Sequence, residues 1–293
     1  MPSESPSISD ATATLWLPKL SLAGCVRGVM LRDTRNTALA PEQRFNHYPA
    51  TPMCTISWWF SGEGSMLAYG APAMLHSPKA AIPASIVFSG PFTRPTITWS
   101  PGPAHGMMLL LLPDAVHSLT GIEPGQWMNQ MVAACEVLPT NWLEMCQRVA
   151  DAASDEERLE LIEKFLETEW FAVRSKQVLG LHRYADWSQG LALRAATSKA
   201  GRSLRQVERR IRRWAGQPLR ELRGFGRAER AFFQAMEAED EGRPHWSGVA
   251  ADTGYSDQSH LCRESRRITG CSPAELWHRI AHDEGFWPYR IWQ

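Results

Sequence analysis

Two stretches of the sequence are the most informative about the fold: residues 203–214, SLRQVERRIRRW, and residues 246–270, WSGVAADTGYSDQSHLCRESRRITG. The first begins with Ser203, a residue type that caps helix N-termini. Apolar residues then recur at steps of three and four, which predicts an amphipathic helix with an arginine-rich outer surface; they are Leu204, Val207, Ile211 and Trp214. A short Ala/Leu-rich helix over residues 191–201 precedes this one. Two helices joined by a tight turn, the second cationic, form a helix-turn-helix.

The same arrangement returns in the second stretch, where Ser256 lies 53 positions after Ser203. We predict a short helix over Val249 and Ala250, a turn, a cap at Ser256 and a polar helix over residues 257–269 that Gly270 closes. A proline follows each unit and begins another helix. Residues 219–239 are predicted to form a connecting helix ~30 Å long. Because successive turns of the major groove lie ~34 Å apart, this connector suits two recognition helices on one side of DNA.

Residues 201–231 and 252–276 resemble the two helix-turn-helix units of the AraC/XylS family of bacterial transcription regulators. The resemblance covers roughly residues 185–282, including the spacing of the units and both proline-initiated helices. It departs from the family pattern at Ile211 and Ser265, where the family has a packed aromatic residue, and in the first scaffold helix around residues 195–200. The resemblance implies an N-terminal domain of the cupin-barrel type that binds an effector or mediates dimerisation.

The resemblance also implies which side chains face DNA. Arginine pairs with guanine and glutamine with adenine in the major groove, so these residue types suit base recognition. The candidates for base contacts are Arg205, Glu208, Arg209, Gln258, Ser259, Cys262 and Arg263. The candidates for phosphate contacts are Ser203, Gln206, Arg210, Arg212, Arg213, Ser256, His260 and Arg267. For one Arg-rich helix alone, a solvated surface is the favoured interpretation; the duplication and the cap and turn around each helix reverse this preference in favour of DNA binding.

The N-terminal half has a different pattern. From Cys25 to Pro113, short β-branched or aromatic runs separated by Pro and Gly predict antiparallel strands in a sandwich or barrel. Apolar residues then recur at helical spacing in residues 127–135, 140–153 and 155–171. The fold class is therefore α+β, with predicted boundaries at residues 1–14 for a loose tail, 15–135 for a β-rich sensor, 136–184 for a helical connector and 185–293 for the DNA-binding domain.

Charge divides the chain in the same place. The whole chain has 31 basic and 31 acidic side chains, which excludes a uniformly basic, histone-like coat for nucleic acid. Residues 1–175 nevertheless hold 11 basic against 17 acidic residues, and residues 176–293 hold 20 against 14. The positive charge is thus concentrated where the two recognition helices are predicted.

Other kinds of site have weaker support. Aromatic residues on the predicted strands are either core or the wall of an apolar effector pocket; they are Trp58, Phe60, Phe88 and Trp99. The N-terminal histidines lack the close spacing of a metal site, so we expect no metal or cofactor; they are His47, His76, His105 and His117. No common catalytic motif is present, so we expect no enzyme.

The sequence thus predicts a DNA-binding transcription regulator controlled by a small-molecule effector. The expected partners are double-stranded DNA, RNA polymerase for an activator, and a second copy of the chain in a homodimer. Neither a membrane-spanning run nor a secretory signal is found, and the six cysteines form no CxxC pair, so the expected location is the cytoplasm. The alternative is a ligand-independent adaptor whose helical half binds a protein; an enzyme tethered to DNA is a third, remote possibility.

Overall fold

The computed structural model describes the backbone of residues 7–9 and, with side chains, residues 12–173, 183–198, 203–237 and 244–292. The predicted α+β fold class is confirmed: β-rich sheets make up the N-terminal half and helices the C-terminal half. Among the described helices none has the length and apolar character that crossing a membrane requires.

The N-terminal half contains two antiparallel sheets. The larger has 7 strands, in the spatial order β1 (Ser7–Ser9), β2 (Ala13–Trp16), β3 (Val26–Asp33), β10 (His105–Leu111), β5 (Cys54–Ser61), β8 (Ile86–Ser89) and β11 (Met131–Ala133). The smaller has 4 strands, in the order β4 (Phe45–Tyr48), β9 (Thr96–Trp99), β6 (Ser65–Leu67) and β7 (Lys79–Ala81). Strands β1 and β2 show that the prediction of a loose tail over residues 1–14 is wrong at these positions.

Strand β10 lies in the middle of the larger sheet, between β3 and β5, and is apolar on both faces. Met107, Leu109 and Leu111 face the main core, whereas Leu110 packs with Trp287 near the end of the chain. A strand that is covered on both sides has a continuous apolar sequence instead of an alternating one. Burial of β10 on both faces therefore explains the continuous apolar run MMLLLL over residues 107–112.

Three helices cover the core face of this sheet: α1 (Pro113–Thr120), α2 (Thr140–Asp151) and α3 (Asp155–Val173). The indole of Trp58 on β5 is buried and donates a hydrogen bond of 3.0 Å to the carbonyl of Cys146 on α2. On α3 the predicted apolar stripe faces inward, with Ile162, Leu166 and Trp170 buried. The helical prediction holds for α2 and α3.

The helical prediction for residues 127–135 is wrong. The segment instead contains β11, which pairs with β8, between the 3-10 helices Pro124–Trp127 and Ala134–Glu136. Asn129 has a φ of 57°, which interrupts any helix, and its side-chain oxygen accepts a 2.9 Å hydrogen bond from the backbone of Thr93. The apolar run of β11 is too short to distinguish a helix from an edge strand by its spacing.

The C-terminal half is helical. Its elements are α4 (Tyr184–Thr197), α5 (Leu204–Ala215), α6 (Leu219–Glu237), α7 (Trp246–Asp252), α8 (Gln258–Thr269), α9 (Pro273–His282) and α10 (Trp287–Arg290), with a 3-10 helix, Glu284–Phe286, before α10. The connecting helix α6 is continuous through Gly224 and Gly226. A Cβ atom at Gly226 would lie 3.0 Å from the backbone of Ala185 on α4, so this glycine permits the close packing of α4 and α6.

The last residues of the chain dock the helical half onto the sheets. Trp287 is buried beside Leu15 and Met30, and its indole donates a 2.8 Å hydrogen bond to the side chain of Asn46 on β4. Glu284 forms ion pairs with Arg32 on β3 at 2.7 Å and with Arg290 on α10 at 2.9 Å. The C-terminal segment is therefore part of the junction between the two halves.

This junction is expected to weaken in acid through His47. The ring stacks on Phe286 with centroids 4.5 Å apart. Burial lowers the pKa of His47 to about 4, while Asp283 partly opposes this shift and Arg279 adds to it. The unfolded chain takes up the proton near pH ~6.5, so stability present above that pH is lost as the pH falls towards 4.

The measurement is the free energy of unfolding across pH 4–7 for the wild-type protein and the His47→Gln variant. We expect the wild type to lose more stability than the variant over this range. Equal slopes for the two proteins would contradict the assignment of this acid sensitivity to His47.

Candidate nucleic-acid interface

The first helix-turn-helix unit is α4 and α5, and Ser203 is its N-cap as predicted. The Ser203 hydroxyl accepts a hydrogen bond of 3.3 Å from the backbone of Gln206, and the Gln206 side chain accepts one of 3.2 Å from the backbone of Ser203. This reciprocal capping box fixes the start of α5. Both side chains are therefore engaged in the cap, where they position the helix end.

The outer face of α5 is cationic and accessible. Arg205 and Arg209 are exposed, and Glu208 is half-buried and 3.5 Å from Arg212. Ile211 is buried and anchors the opposite face, so the position where the AraC/XylS pattern has an aromatic residue is filled by an aliphatic one. Leu204 departs from the predicted apolar stripe because it lies at the first turn with 87% of its surface exposed.

Arg210 is not on this outer face. Its guanidinium donates to the carbonyl of Ala195 on α4 at 3.0 Å from Nε and 2.6 Å from Nη2. These bonds satisfy a carbonyl in the last turn of α4 and tie it to α5. The geometry therefore favours a scaffold role for Arg210 over the phosphate contact that the sequence suggested.

The second unit is α7 and α8, joined by a turn at Gly254, where φ is 82°. The predicted cap at Ser256 is wrong by one residue: Asp257 is the N-cap and accepts a 2.7 Å hydrogen bond from the backbone of His260. That bond is the main reason that the pKa of the Asp257 carboxyl lies below its ordinary value. The Ser256 hydroxyl lies 3.2 Å from Asp257 and from the His260 ring, so it supports the cap.

Helix α8 presents a second polar surface. Gln258, Ser259 and Arg263 are exposed, and Cys262 is half-buried beside them. Leu261 and Ile268 are buried on the opposite face, as predicted. The sequence-derived base-contact candidates of this helix thus share one accessible face.

Arg267 is held within the domain. It is 3.0 Å from Glu264 on the same helix and 3.9 Å from Glu221 on α6, and its guanidinium lies over the Phe225 ring. Ser265, the other departure from the AraC/XylS pattern, donates a 2.8 Å hydrogen bond to the carbonyl of Cys271. Arg267 thus joins the second recognition helix to the connector, which leaves it poorly placed for phosphate.

The two units end alike, which supports the internal duplication. Helix α5 ends at Gly216 with φ 75°, and α8 ends at Gly270 with φ 80°, a conformation that favours glycine. A proline follows each cap: Pro218 immediately precedes α6, and Pro273 is the first residue of α9. The connector α6 contacts both α5 and α8. Its 19 residues span ~28 Å.

Two acidic residues of the N-terminal half pair with side chains of the first unit, beside a hydrophobic core that the two share. Asp114 on α1 is buried and accepts a 2.8 Å hydrogen bond from the indole of Trp187 on α4, and it also pairs with Arg194. Glu123 lies 2.9 Å from Arg213 at the end of α5. One predicted phosphate contact, Arg213, is therefore already paired with the acidic half of the chain.

A cavity of about 250 Å³ separates the sheets from the helices. Its sheet side includes Arg27, Thr55, Trp59, Ser89, Met108 and Leu110. Its helix side includes Tyr184, Phe225, Glu229, Ile268, Tyr289 and Trp292. Ile268 lies on the inner face of α8, so the wall of the cavity is continuous with the second recognition helix.

None of the four aromatic residues that the sequence suggested for an effector pocket lines this cavity. Trp58 and Phe88 are buried in the core on the other face of the sheet. Phe60 lies under the guanidinium of Arg158, and the indole of Trp99 donates to the carbonyl of Pro41 at 3.1 Å. Alternation along β5 instead turns Trp59 towards the cavity, a choice of face that the sequence alone does not determine.

Within the described parts of the chain, no three His, Cys, Asp or Glu side chains are close enough to hold a metal ion. His105 pairs with Asp155 at 3.1 Å, and the ring of His117 lies 3.0 Å from the carbonyl of Ile122. All six cysteines are free thiols.

Comparison with known proteins gives one family match and several distant structures. Residues 196–279 match the family model described as "Helix-turn-helix domain". ToxT from Vibrio cholerae strain SCE256, in its apo form, is 12% identical, with 85% of this chain and 96% of that chain covered and a TM-score of 0.36. The AraC-like transcriptional activator CuxR is 12% identical, with 97% and 88% covered and a TM-score of 0.28. No curated protein matches the chain.

The family match spans α5, α6, α7 and α8, and so includes both helices, α5 and α8, that present an exposed polar face. Residues 196–279 are therefore an AraC-type helix-turn-helix DNA-binding domain.

Proposed function

We propose that this protein is a sequence-specific transcription regulator that inserts α5 and α8 into adjacent turns of the major groove. The observation that carries the proposal is the pair of accessible polar faces, one on each recognition helix, with both helices packed against the connector α6. The protein acts as a regulator without catalysis, in the cytoplasm, where free cysteines remain reduced.

Base recognition is assigned to the exposed side chains. Arg205, Arg209 and Arg263 have the donors that guanine accepts, and Gln258 suits adenine. Ser259, Cys262 and Glu208 complete the faces at the groove edges. Among the phosphate candidates, Arg212 is well placed, and Arg213 becomes available when its pair with Glu123 opens. Ser203, Gln206, Ser256 and His260 contribute mainly through the caps, which direct helix N-termini towards the DNA backbone.

The cavity between the halves is the proposed effector site. A molecule bound there contacts residues of both halves, so it has different affinities for closed and opened arrangements of the junction. Because of that difference in affinity, the bound molecule would shift the equilibrium between the closed and the opened arrangement. An activator of this kind would also contact RNA polymerase, and a homodimer would place two such domains on DNA.

The test is selection of binding sites from a random-sequence DNA pool by the full-length protein, followed by the dependence of Kd on salt. We expect one enriched motif and a steep linear fall of log affinity with log salt, because phosphate contacts release counterions. A pool without enrichment, with affinity insensitive to salt, would contradict the proposal and favour the adaptor.

The Glu123–Arg213 pair makes a separate prediction. Glu123→Gln is expected to raise affinity for the selected DNA by about 1.5- to 5-fold, because an exposed ion pair contributes only ~0.2–1 kcal/mol and its loss frees Arg213 for phosphate. The measurement is a gel shift across a salt series, in which the slope should steepen.

The matched control is Glu136→Gln, which removes one exposed acidic charge from the same half. Equal gains in affinity for the two variants would show that the effect is general charge, and the specific pair would then have no role.

A further inference from the structure

The charge inside the cavity between the halves is balanced. Its lining contains one cation, Arg27, and one anion, Glu229, among the described residues. These two lie 2.8 Å apart, and Glu229 also accepts a 2.6 Å hydrogen bond from the backbone of Tyr184. The Arg27 guanidinium further stacks on the Trp292 ring at 4.3 Å. An anionic ligand would therefore have to compete with Glu229 for Arg27, and a cationic one with Arg27 for Glu229.

The same lining contains polar groups without partners. The hydroxyls of Ser89, Tyr255 and Tyr289 and the Nε–H of Arg27 are buried and make no hydrogen bond within the described structure. Ser89 is 3% exposed, and both tyrosines are 5% exposed. Buried polar groups are nearly always hydrogen-bonded, so four such groups around one cavity require a partner.

The four groups share one chemical property: each can donate a hydrogen bond. They belong to both sides of the cavity, with Ser89 and Arg27 on the sheet side and the tyrosines on the helix side. The rest of the lining is mainly apolar, including Trp59, Phe225, Ile268 and other large side chains. The complementary ligand is apolar over most of its surface and carries oxygen acceptors.

We propose that the cavity binds an uncharged, mainly apolar molecule with carbonyl, ester or hydroxyl oxygens, held by hydrogen bonds from Ser89, Tyr255, Tyr289 and Arg27. This inference deepens the proposed function and rests on its effector site. These four hydrogen-bond donors would distinguish such a ligand from a carboxylate or a hydrocarbon of the same length.

The test uses three probes of matched length: methyl decanoate, decanoate and undecane. Binding to the full-length protein is followed by tryptophan fluorescence, since Trp59 and Trp292 line the cavity. We expect methyl decanoate to bind more tightly than the other two. Tighter binding of decanoate, or equal binding of the ester and the hydrocarbon, would overturn the proposal.

Two variants test the hydrogen bonds, and one is a control. Ser89→Ala and Tyr289→Phe remove unpartnered hydroxyls without breaking a bond in the protein, so folding is preserved. Each should weaken binding of methyl decanoate by about 3- to 10-fold and leave undecane unchanged. Ser57→Ala removes a buried, unpartnered hydroxyl outside the cavity and should change neither. Wild-type ester affinity in both cavity variants would contradict the proposal.

The same samples separate this inference from the proposed function. Failure to bind DNA both with and without the probes refutes the proposed regulator. Normal DNA binding without preference for the ester refutes only the ligand class. Ester binding that leaves DNA affinity unchanged supports the ligand class and refutes the effector role.

Discussion

Replacing Glu229 with glutamine is expected to lower the free energy of unfolding by about 3–5 kcal/mol. The Arg27 side chain is 10% exposed and that of Glu229 is 7% exposed, so the variant leaves a buried cation without its counterion. The pair joins β3 of the sheets to the connector α6, so its loss weakens the junction between the halves. Burial raises the pKa of the Glu229 carboxyl even though the nearby Arg27 opposes the shift.

Urea unfolding followed by tryptophan fluorescence measures this effect. The control is the double variant Arg27→Met/Glu229→Leu, in which apolar side chains replace both charges. Because a buried ion pair pays a large desolvation penalty, this double variant should lie near or above wild-type stability. A loss below 1 kcal/mol for Glu229→Gln would show that Arg27 is not buried as described.

The second large expected effect is a loss of affinity for specific DNA. Arg209→Ala and Arg263→Ala are each expected to cost ~1–3 kcal/mol of specific binding, or about 5- to 150-fold in Kd. Both side chains are exposed, so folding should be unaffected. Gel shifts with the selected site, compared with unrelated DNA, separate base recognition from loss of charge, because a lost base contact weakens binding to the selected site only.

The matched control is Arg220→Ala, which removes an exposed arginine at the start of α6, outside both recognition helices. This variant should lower affinity for specific and unrelated DNA alike, and only slightly. Wild-type affinity of both the Arg209 and Arg263 variants for the selected site would contradict the proposed readout.

The helical half was largely predictable because its signals are local. Caps, apolar spacing and glycine ends fixed α5, α6 and α8 to within one or two residues, apart from the cap at Asp257. The roles of Arg210 and Arg267 were not predictable, because each is set by a partner on another helix, the Ala195 carbonyl and Glu221. A helical charge pattern shows that a side chain faces outward but does not show what already binds it.

The sheets were predictable as strands, but their faces were not. Trp58 and Trp59 are equally apolar, and only the packing of α2 on one face and the C-terminal segment on the other assigns them to core and cavity. The role of residues 284–292 in the junction also depends on tertiary contacts with β3 and β4. Met131–Ala133 is a strand because β8 offers it an edge, which spacing within the segment does not reveal.

The separation of charge between the halves has a structural counterpart. Asp114 and Glu123 of the acidic half pair with Arg194 and Arg213 of the basic half. Two further pairs have the opposite sense, because Arg27 and Arg32 on β3 bind Glu229 and Glu284. Specific ion pairs thus join the two halves, while Arg205, Arg209 and Arg263 remain exposed.

Hydroxyl-radical footprinting of the full-length protein on its selected site tests directly whether α5 and α8 both enter the major groove. We expect two protected segments on one face of the duplex, one helical turn or ~10 base pairs apart. Arg209→Ala should weaken protection of one segment and Arg263→Ala that of the other. A single protected segment that neither substitution alters would contradict the use of two recognition helices.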